Sequence, residues 1–414
     1  MRQPGAGAGR EHRAVGDRGL PLSVTAAAGF VAAGVHCGIK EDAEALDLAL
    51  VATDPVHPVT AAGVFTSNRA PAAPVQVTRA HLAATGNRAA AVVLNSGNAN
   101  AATGGGGRGE AERTCALVAE GLGCGAEEVL VCSTGLIGIP LPMDVVAGGI
   151  EPLVSSRDAG TAAARAAAQA ICTTDTVVKE VVVEGPGFTV GGMAKGAAML
   201  APDMATMLAV LTTDAFVDAG DLRRDLQVAV DGSFNALSVD GCTSTNDTVL
   251  VLASGLARGH EPTDPVELER ALAAACLDLA AQMADDAEGA TKVATVRVGG
   301  ARSVDDARRA ARKVAESQLV KCSLYGADPY WGRIVSELGS SGAAFDPDRV
   351  TVAYGGVLVC AGGIAVVHDR AAVAAHLARP AVEIAIDLGL GDAEAAILTN
   401  DLTPGYIAEN MRTS

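Results

Sequence analysis

Residues 195–215 read KGAAMLAPDMATMLAVLTTDA, and one threonine, Thr206, heads the apolar run MLAVL directly after Ala205. The hydroxyl has two readings. Threonine before an apolar run suits a helix N-cap, whose side-chain oxygen accepts a hydrogen bond from the first turn. Alternatively it is a nucleophile. A threonine hydroxyl is weak and needs a base, and its own α-amine, with a pKa of about 7.7–8.0, is one solution. That amine is free only if the chain is cut between Ala205 and Thr206. The same hydroxyl can make the cut by attacking the preceding carbonyl, giving an ester that hydrolyses. From these residues alone the cap is the plainer reading.

The rest of the chain bounds the answer. With 414 residues it exceeds one ordinary core, which implies two domains or one large layered body. Apolar residues make up 49% and charged residues 19%, enough to bury a substantial core. The formal charge is −17 and no dense Lys/Arg cluster interrupts it, which argues against nucleic-acid binding. In such an acidic chain a lysine that must hold an anion stands out, and Lys195 is one. The nine cysteines are irregularly spaced and form no CxxC pair, so neither a disulfide framework nor a zinc site is expected. Residues 19–39 lack Asp, Glu, Lys and Arg, but four glycines, a proline and a histidine make a poor membrane segment. Residues 1–22 read as a loose tail.

Strand-like and helix-like segments alternate throughout, which points to a layered α/β sandwich. Residues 45–68 read as two strand pieces around a Pro-containing turn, and 89–94 as a strand. Helical spacing marks 110–123, 156–171, 221–237, 265–289 and 303–321. A hairpin is expected over 178–196 with EGPG as its turn, and strands over 247–255 and 290–301. The last hundred residues read as short strands with one helix.

Three loops after strands share a composition: NSGNANAATG (95–104), CSTGLIG (132–138) and GCTSTNDT (241–248). Glycine lets backbone N–H groups face a ligand, and Ser or Thr adds a hydroxyl, as in an oxyanion hole. Ordinary turn chemistry accounts for each loop equally well. TGGGGRGE (103–110) lacks the Gly-Lys-Ser/Thr ending of a P-loop and reads as a flexible loop. No GxSxG elbow or metal spacing is present, and His36, His57 and His368 stand in unrelated contexts.

Taken together the motifs carry a resemblance. The 195–215 block is similar to the self-cleavage region of the ornithine acetyltransferase (glutamate N-acetyltransferase) family of arginine biosynthesis. So are GFVAAGVHCGIK (29–40), AAGVFTSNRAPAAPV (61–75), LNSGNANAATG (94–104), STGLIG (133–138), CTTDTVVKE (172–180), SVDGCTSTNDT (238–248), DDAEGATK (285–292), DPYWGR (328–333) and DLTPGYIAEN (401–410). The resemblance runs in order from about Thr25 to the C-terminus.

It implies a cytoplasmic precursor that cuts itself into an α chain, residues 23–205 after the tail, and a β chain, 206–414. These remain together as an α2β2 heterotetramer. The implied fold is an α/β sandwich like that of N-terminal nucleophile hydrolases, with its own topology, plus a smaller α/β portion. The implied reaction is ping-pong: N2-acetylornithine acylates Thr206, ornithine leaves, and glutamate takes the acetyl group. No cofactor and no metal is implied, and acetyl-CoA as a second acetyl donor is left open. Residue by residue, Thr206 matches the nucleophile, and Thr134 and Gly135 match the oxyanion hole. Thr173, Lys195, Glu288, Asn410, Thr413 and Ser414 match substrate-binding positions. Lys195 suits a substrate carboxylate and Glu288 an ammonium.

The sequence departs from the family pattern at Tyr330, where asparagine is usual, and at Ala198, where glycine is common. Cys172 replaces a frequent methionine, and the tail after Asn410 is about one residue short. Two other readings stay open: a side-pathway acetyltransferase or amidase with the same threonine chemistry, and an uncleaved homologue that only binds amino acids.

Overall fold

In the computed structural model the chain is described over residues 23–199, 207–257 and 262–411. The tail expected over residues 1–22 lies outside the described residues. Two stacked sheets form the centre of the molecule. The front sheet runs Phe30–Val35, Leu48–Thr53, Ala91–Asn98, Val129–Leu136 in spatial order. The back sheet runs Arg88–Ala89, Val59–Phe65, Thr248–Ala253, Leu208–Thr213, Phe188–Lys195, Lys179–Gly185.

The period of two along these strands builds the layers. Ala49 and Val51, Val92 and Leu94, Leu130 and Cys132 face Leu208, Val210, Leu250 and Leu252 between the sheets. Their sequence neighbours Leu50, Val93 and Val131 point outward, onto Cys115 and Val118 of the helix Gly104–Leu122 and Val146 and Ile150 of Met143–Ser155. On the far side, Ala209, Leu211, Val249 and Val251 meet Leu222 and Leu226 of Ala219–Gly232 and Leu272, Leu279 and Met283 of Pro265–Asp285. The order is helix, sheet, sheet, helix: the layered α/β sandwich expected. Both faces of Leu208–Thr213 are therefore covered, which is why its first four residues, LAVL, are an unbroken apolar run rather than an alternating one. Each fully buried Leu or Val there contributes about 1.5–3 kcal/mol relative to an exposed one.

A further α/β portion lies beyond the sandwich. Its sheet contains Val293–Ala301 between Ala393–Asn400 and Ala381–Asp387. Val296, Val298 and Ile384 pack on Ala307, Ala310 and Val314 of the helix Val304–Ala315. The two-residue strand Leu237–Ser238 pairs with Leu398 and Thr399, fastening the sandwich to this sheet just before the loop 239–247.

Several sequence expectations change. The two pieces within 45–68 are strands, but Leu48–Thr53 lies in the front sheet and Val59–Phe65 in the back one. The Gly-rich 103–110 segment is not a flexible loop but the first turns of Gly104–Leu122. Glycine is a poor helix former, yet here the Asn100 amide donates to Gly107 O at 2.8 Å, and a Cβ on Gly107 would collide with the Thr103 and Asn100 side chains. Residues 303–321 do not form one helix: Ser317 caps a second, Gln318–Tyr325, by accepting from the Val320 N–H. A serine drawn to the backbone breaks the run where apolar spacing alone continues it. Beyond it lie three helices, Trp331–Gly339, Arg370–Leu377 and Pro404–Asn410, rather than one.

Candidate active site

The strand that begins at Leu208 decides between the two readings of Thr206 in one respect. Thr206 and Ala205 lie outside the described residues, but the chain immediately after them enters a central β-strand. A helix N-cap at Thr206 is thereby excluded, because no helix starts there.

Two neighbours flank the head of this strand. Lys195 pairs with Leu208 on one side, and Thr248 pairs with Leu208 on the other. Asp247, next to Thr248, accepts the Met207 N–H at Oδ1, 3.0 Å away. The group on either side of the chain at 207–208 is thus a cation from one strand and a carboxyl from the next.

The three Ser/Thr/Asn/Gly loops converge beside them. Asn246 Nδ2 donates to Ala99 O at 2.6 Å and to Ser133 O at 2.8 Å, joining 241–248 to both other loops. The Ser133 hydroxyl donates to Asn95 Oδ1, 2.5 Å away. Plain turn chemistry, the favoured reading of each loop taken singly, does not explain side chains that cross between loops.

Thr134 is 1% exposed, and among the described residues its hydroxyl has no hydrogen-bond partner. Buried hydroxyls are ordinarily satisfied, so this one has a donor free for a group that enters beside it. Gly135 comes next with φ of +133°, and a Cβ there would run into the Gly97 backbone. Only glycine fits this approach of the two parallel strands. A hydroxyl and a backbone N–H from adjacent residues form the donor pair an oxyanion requires.

On the cation side, Lys195 is 2% exposed and lies 3.8 Å from Asp175 Oδ2, beyond hydrogen-bond reach. Asp175 is held more tightly elsewhere. Its Oδ1 accepts from Lys179 Nζ and from the Gly196 N–H, each at 2.7 Å, and its Oδ2 from the Thr173 N–H at 3.0 Å. Lys179 in turn reaches Asp286 at 2.6 Å. Burial works to raise the Asp175 pKa, but Lys195 and Lys179 outweigh it and hold the carboxyl well below its usual range. Lys195 is therefore oriented by a carboxylate that is already spoken for, leaving its ammonium able to meet another anion.

Glu288 and Asn410 also meet. Asn410 Nδ2 donates to Glu288 Oε2 at 2.8 Å, and the Glu288 N–H donates to Ala197 O, two residues from Lys195, at 2.9 Å. Thr173, Lys195, Glu288 and Asn410 thus belong to one connected set. Thr413 and Ser414 lie outside the described residues. Tyr330 stands 56% exposed at the start of Trp331–Gly339, with the Arg333 guanidinium over its ring.

The sequence signal matches the ArgJ family over residues 31–413. The chain belongs to that family. The arginine biosynthesis bifunctional protein ArgJ of Thermobifida fusca is 47% identical over 95% of this chain and all of its own length. That of Mycolicibacterium paratuberculosis is 48% identical, covering 94% of this chain and 96% of its own. A crystal structure of ornithine acetyltransferase complexed with ornithine, from Mycobacterium tuberculosis, is 48% identical over 44% of this chain and 95% of that one, with a TM-score of 0.42. As an ArgJ-family member the chain is an acyltransferase of arginine biosynthesis. Among the described residues no helix is long and apolar enough to cross a membrane.

Sequence reasoning missed four residues of this cluster. Lys40 donates to Cys172 O at 2.7 Å and to Leu46 O at 2.8 Å, bracing the approach to Thr173; burial lowers its pKa. Asp240 accepts the Met199 N–H at 2.6 Å and the Tyr406 hydroxyl at 3.3 Å, tying the 195–199 segment to the C-terminal helix. Asp175 and Asp247 complete the set. Only Lys40 carried a signal, as a lone base closing a charge-free stretch.

Proposed function

We propose that this enzyme moves an acetyl group from N2-acetylornithine to glutamate through an ester on Thr206, after cutting itself between Ala205 and Thr206. The observation that carries the reading is the buried Thr134 hydroxyl, unpartnered among the described residues, whose neighbour Ser133 is tied by Asn246 to the loop that accepts the Met207 N–H. In this reading Thr206 attacks the acetyl carbonyl, and its free α-amine takes the hydroxyl proton. The Thr134 hydroxyl and Gly135 N–H stabilise the oxyanion. The amine returns the proton to the departing ornithine nitrogen, and glutamate reverses the sequence.

Lys195 holds the α-carboxylate that both substrates share, and Glu288, steadied by Asn410, meets the ornithine side-chain ammonium. Thr173 and the tail residues Thr413 and Ser414 complete the substrate site. The cut chains stay together as a cytoplasmic α2β2 heterotetramer, with acetyl-CoA a second donor to be assayed.

Purified enzyme given acetylornithine with and without glutamate tests the reading. Stoichiometric N-acetylglutamate and ornithine, with parallel double-reciprocal lines, are expected. Equal ornithine release without glutamate would make it a hydrolase.

A further inference from the structure

Self-cleavage poses a chemical problem that acetyl transfer does not. Before the cut, the Thr206 nitrogen is an amide and cannot serve as a base. Another group must take the hydroxyl proton. That group must sit within a residue of Thr206, be shielded from water, and have a free oxygen.

Asp247 meets these requirements. Its Oδ1 accepts the N–H of Met207, whose nitrogen is bonded directly to the Thr206 carbonyl carbon. Its Oδ2 is buried and, among the described residues, has no hydrogen-bond partner. An acceptor left free in the interior is costly, about 1–3 kcal/mol, so its retention calls for a use. Asn246 anchors the same loop to Ser133, the residue before Thr134.

We propose that Asp247 is the proton acceptor for self-cleavage, a role distinct from that of the Thr206 amine in acetyl transfer. Asp247 Oδ2 takes the proton from the Thr206 hydroxyl as Oγ bonds to the Ala205 carbonyl carbon. The oxyanion so formed collapses, the Ala205–Thr206 C–N bond breaks, and Asp247 passes the proton to the leaving nitrogen. Water then hydrolyses the ester, giving the Ala205 carboxyl and restoring the Thr206 hydroxyl. Asp247 ends as the carboxylate it began as, and the new amine takes over as base for acetyl transfer.

Burial pushes the Asp247 carboxyl well above its usual range, against the Met207 N–H and the positive charge of Lys195. A carboxylate so placed is a stronger base than an exposed one. Below its pKa the ionised fraction, and with it the cutting rate, rises with pH. Among the described residues the ionisable groups acting on it are Lys195, from the strand beyond Leu208–Thr213, and Cys242 from its own loop.

The proposal rests on the reading that the chain cuts itself, and one experiment separates the two. Full-length chain is made by cell-free translation and its cutting is followed on denaturing gels from pH 5 to 8. The comparison covers wild type, Asp247→Asn and Asp247→Glu, with thermal unfolding of each. Wild type should cut faster as pH rises. Asp247→Asn, which still accepts the Met207 N–H, should fold and cut on the order of a hundredfold slower, the scale of general-base catalysis. Asp247→Glu should cut faster than Asp247→Asn. A wild-type chain that never cuts contradicts the cleavage reading itself. A wild type that cuts faster as the pH is lowered overturns the role of Asp247 even if neither variant folds. So does an Asp247→Asn chain that cuts as fast as wild type.

Discussion

The Asn246 side-chain amide donates to Ser133 O at 2.8 Å, so the residue beside Asp247 is fastened to the residue beside Thr134. One amide thereby links the loop that leads into the back-sheet strand Thr248–Ala253 to the front-sheet strand Val129–Leu136, which carries Thr134 and Gly135.

Asn246→Ala should loosen that link. It leaves the buried carbonyls of Ala99 and Ser133 each short of a donor, at about 1–3 kcal/mol per group. A melting temperature lowered by several degrees and a kcat reduced more than tenfold are expected. Wild-type kcat in a destabilised variant would mean that the link serves stability alone.

Thr134→Ala should show the opposite balance. The hydroxyl has no partner to lose, so stability should hold or rise slightly. Both cutting and acetyl transfer pass through an oxyanion, and removing one donor typically costs on the order of 10²–10³ in rate. Unchanged kcat would remove Thr134 from the site.

Lys195→Met and Glu288→Gln should separate the two substrates. A charge-assisted hydrogen bond contributes about 1.5–3 kcal/mol, so losing Lys195 should raise KM roughly ten- to a hundredfold for acetylornithine and for glutamate alike. Glu288→Gln should harm acetylornithine more, because glutamate has no side-chain ammonium to lose. Ping-pong kinetics give the two KM values separately. Equal losses in Glu288→Gln would place Glu288 on the shared amino-acid backbone instead.

Asp175→Asn should destabilise the protein in a pH-dependent way. The folded pKa of Asp175 lies below its unfolded value of about 3.9. The unfolded chain therefore binds more protons in acid. The contribution is fully present above about pH 4 and is lost as pH falls through the folded pKa. At pH 7 the variant leaves Lys179 and Lys195 short of a counter-charge, a cost of about 3–5 kcal/mol for a broken buried pair. Chemical denaturation should show this gap at neutral pH and a narrowing gap below pH 4. A constant gap would mean that Asp175 contributes through packing alone.

The layered sandwich was legible in the sequence because covered strands leave a plain mark: the apolar runs at 91–94, 129–132 and 249–252 each became a strand of the two sheets, whereas the run at 208–211, which reads more plainly as a helix capped by Thr206, became a central strand. The family resemblance placed Thr134, Gly135, Thr173, Lys195, Glu288 and Asn410, and the structure draws the last four into one network. Convergence of the three loops was not legible. Each loop has ordinary turn composition, and only the long-range bonds of Asn246 distinguish them. Asp175, Asp240 and Asp247 were hidden for a related reason. An acidic chain has many aspartates, and nothing local marks the ones whose charge is buried against a distant lysine or backbone N–H.

The most direct test of the account is intact mass with N-terminal sequencing of the purified protein, beside Thr206→Ala. Two chains of similar size should be found, the second beginning Thr-Met-Leu, and Thr206→Ala should remain whole and inactive. A single active chain with Ala205 still joined to Thr206, or a Thr206→Ala variant that splits at this bond, would contradict it.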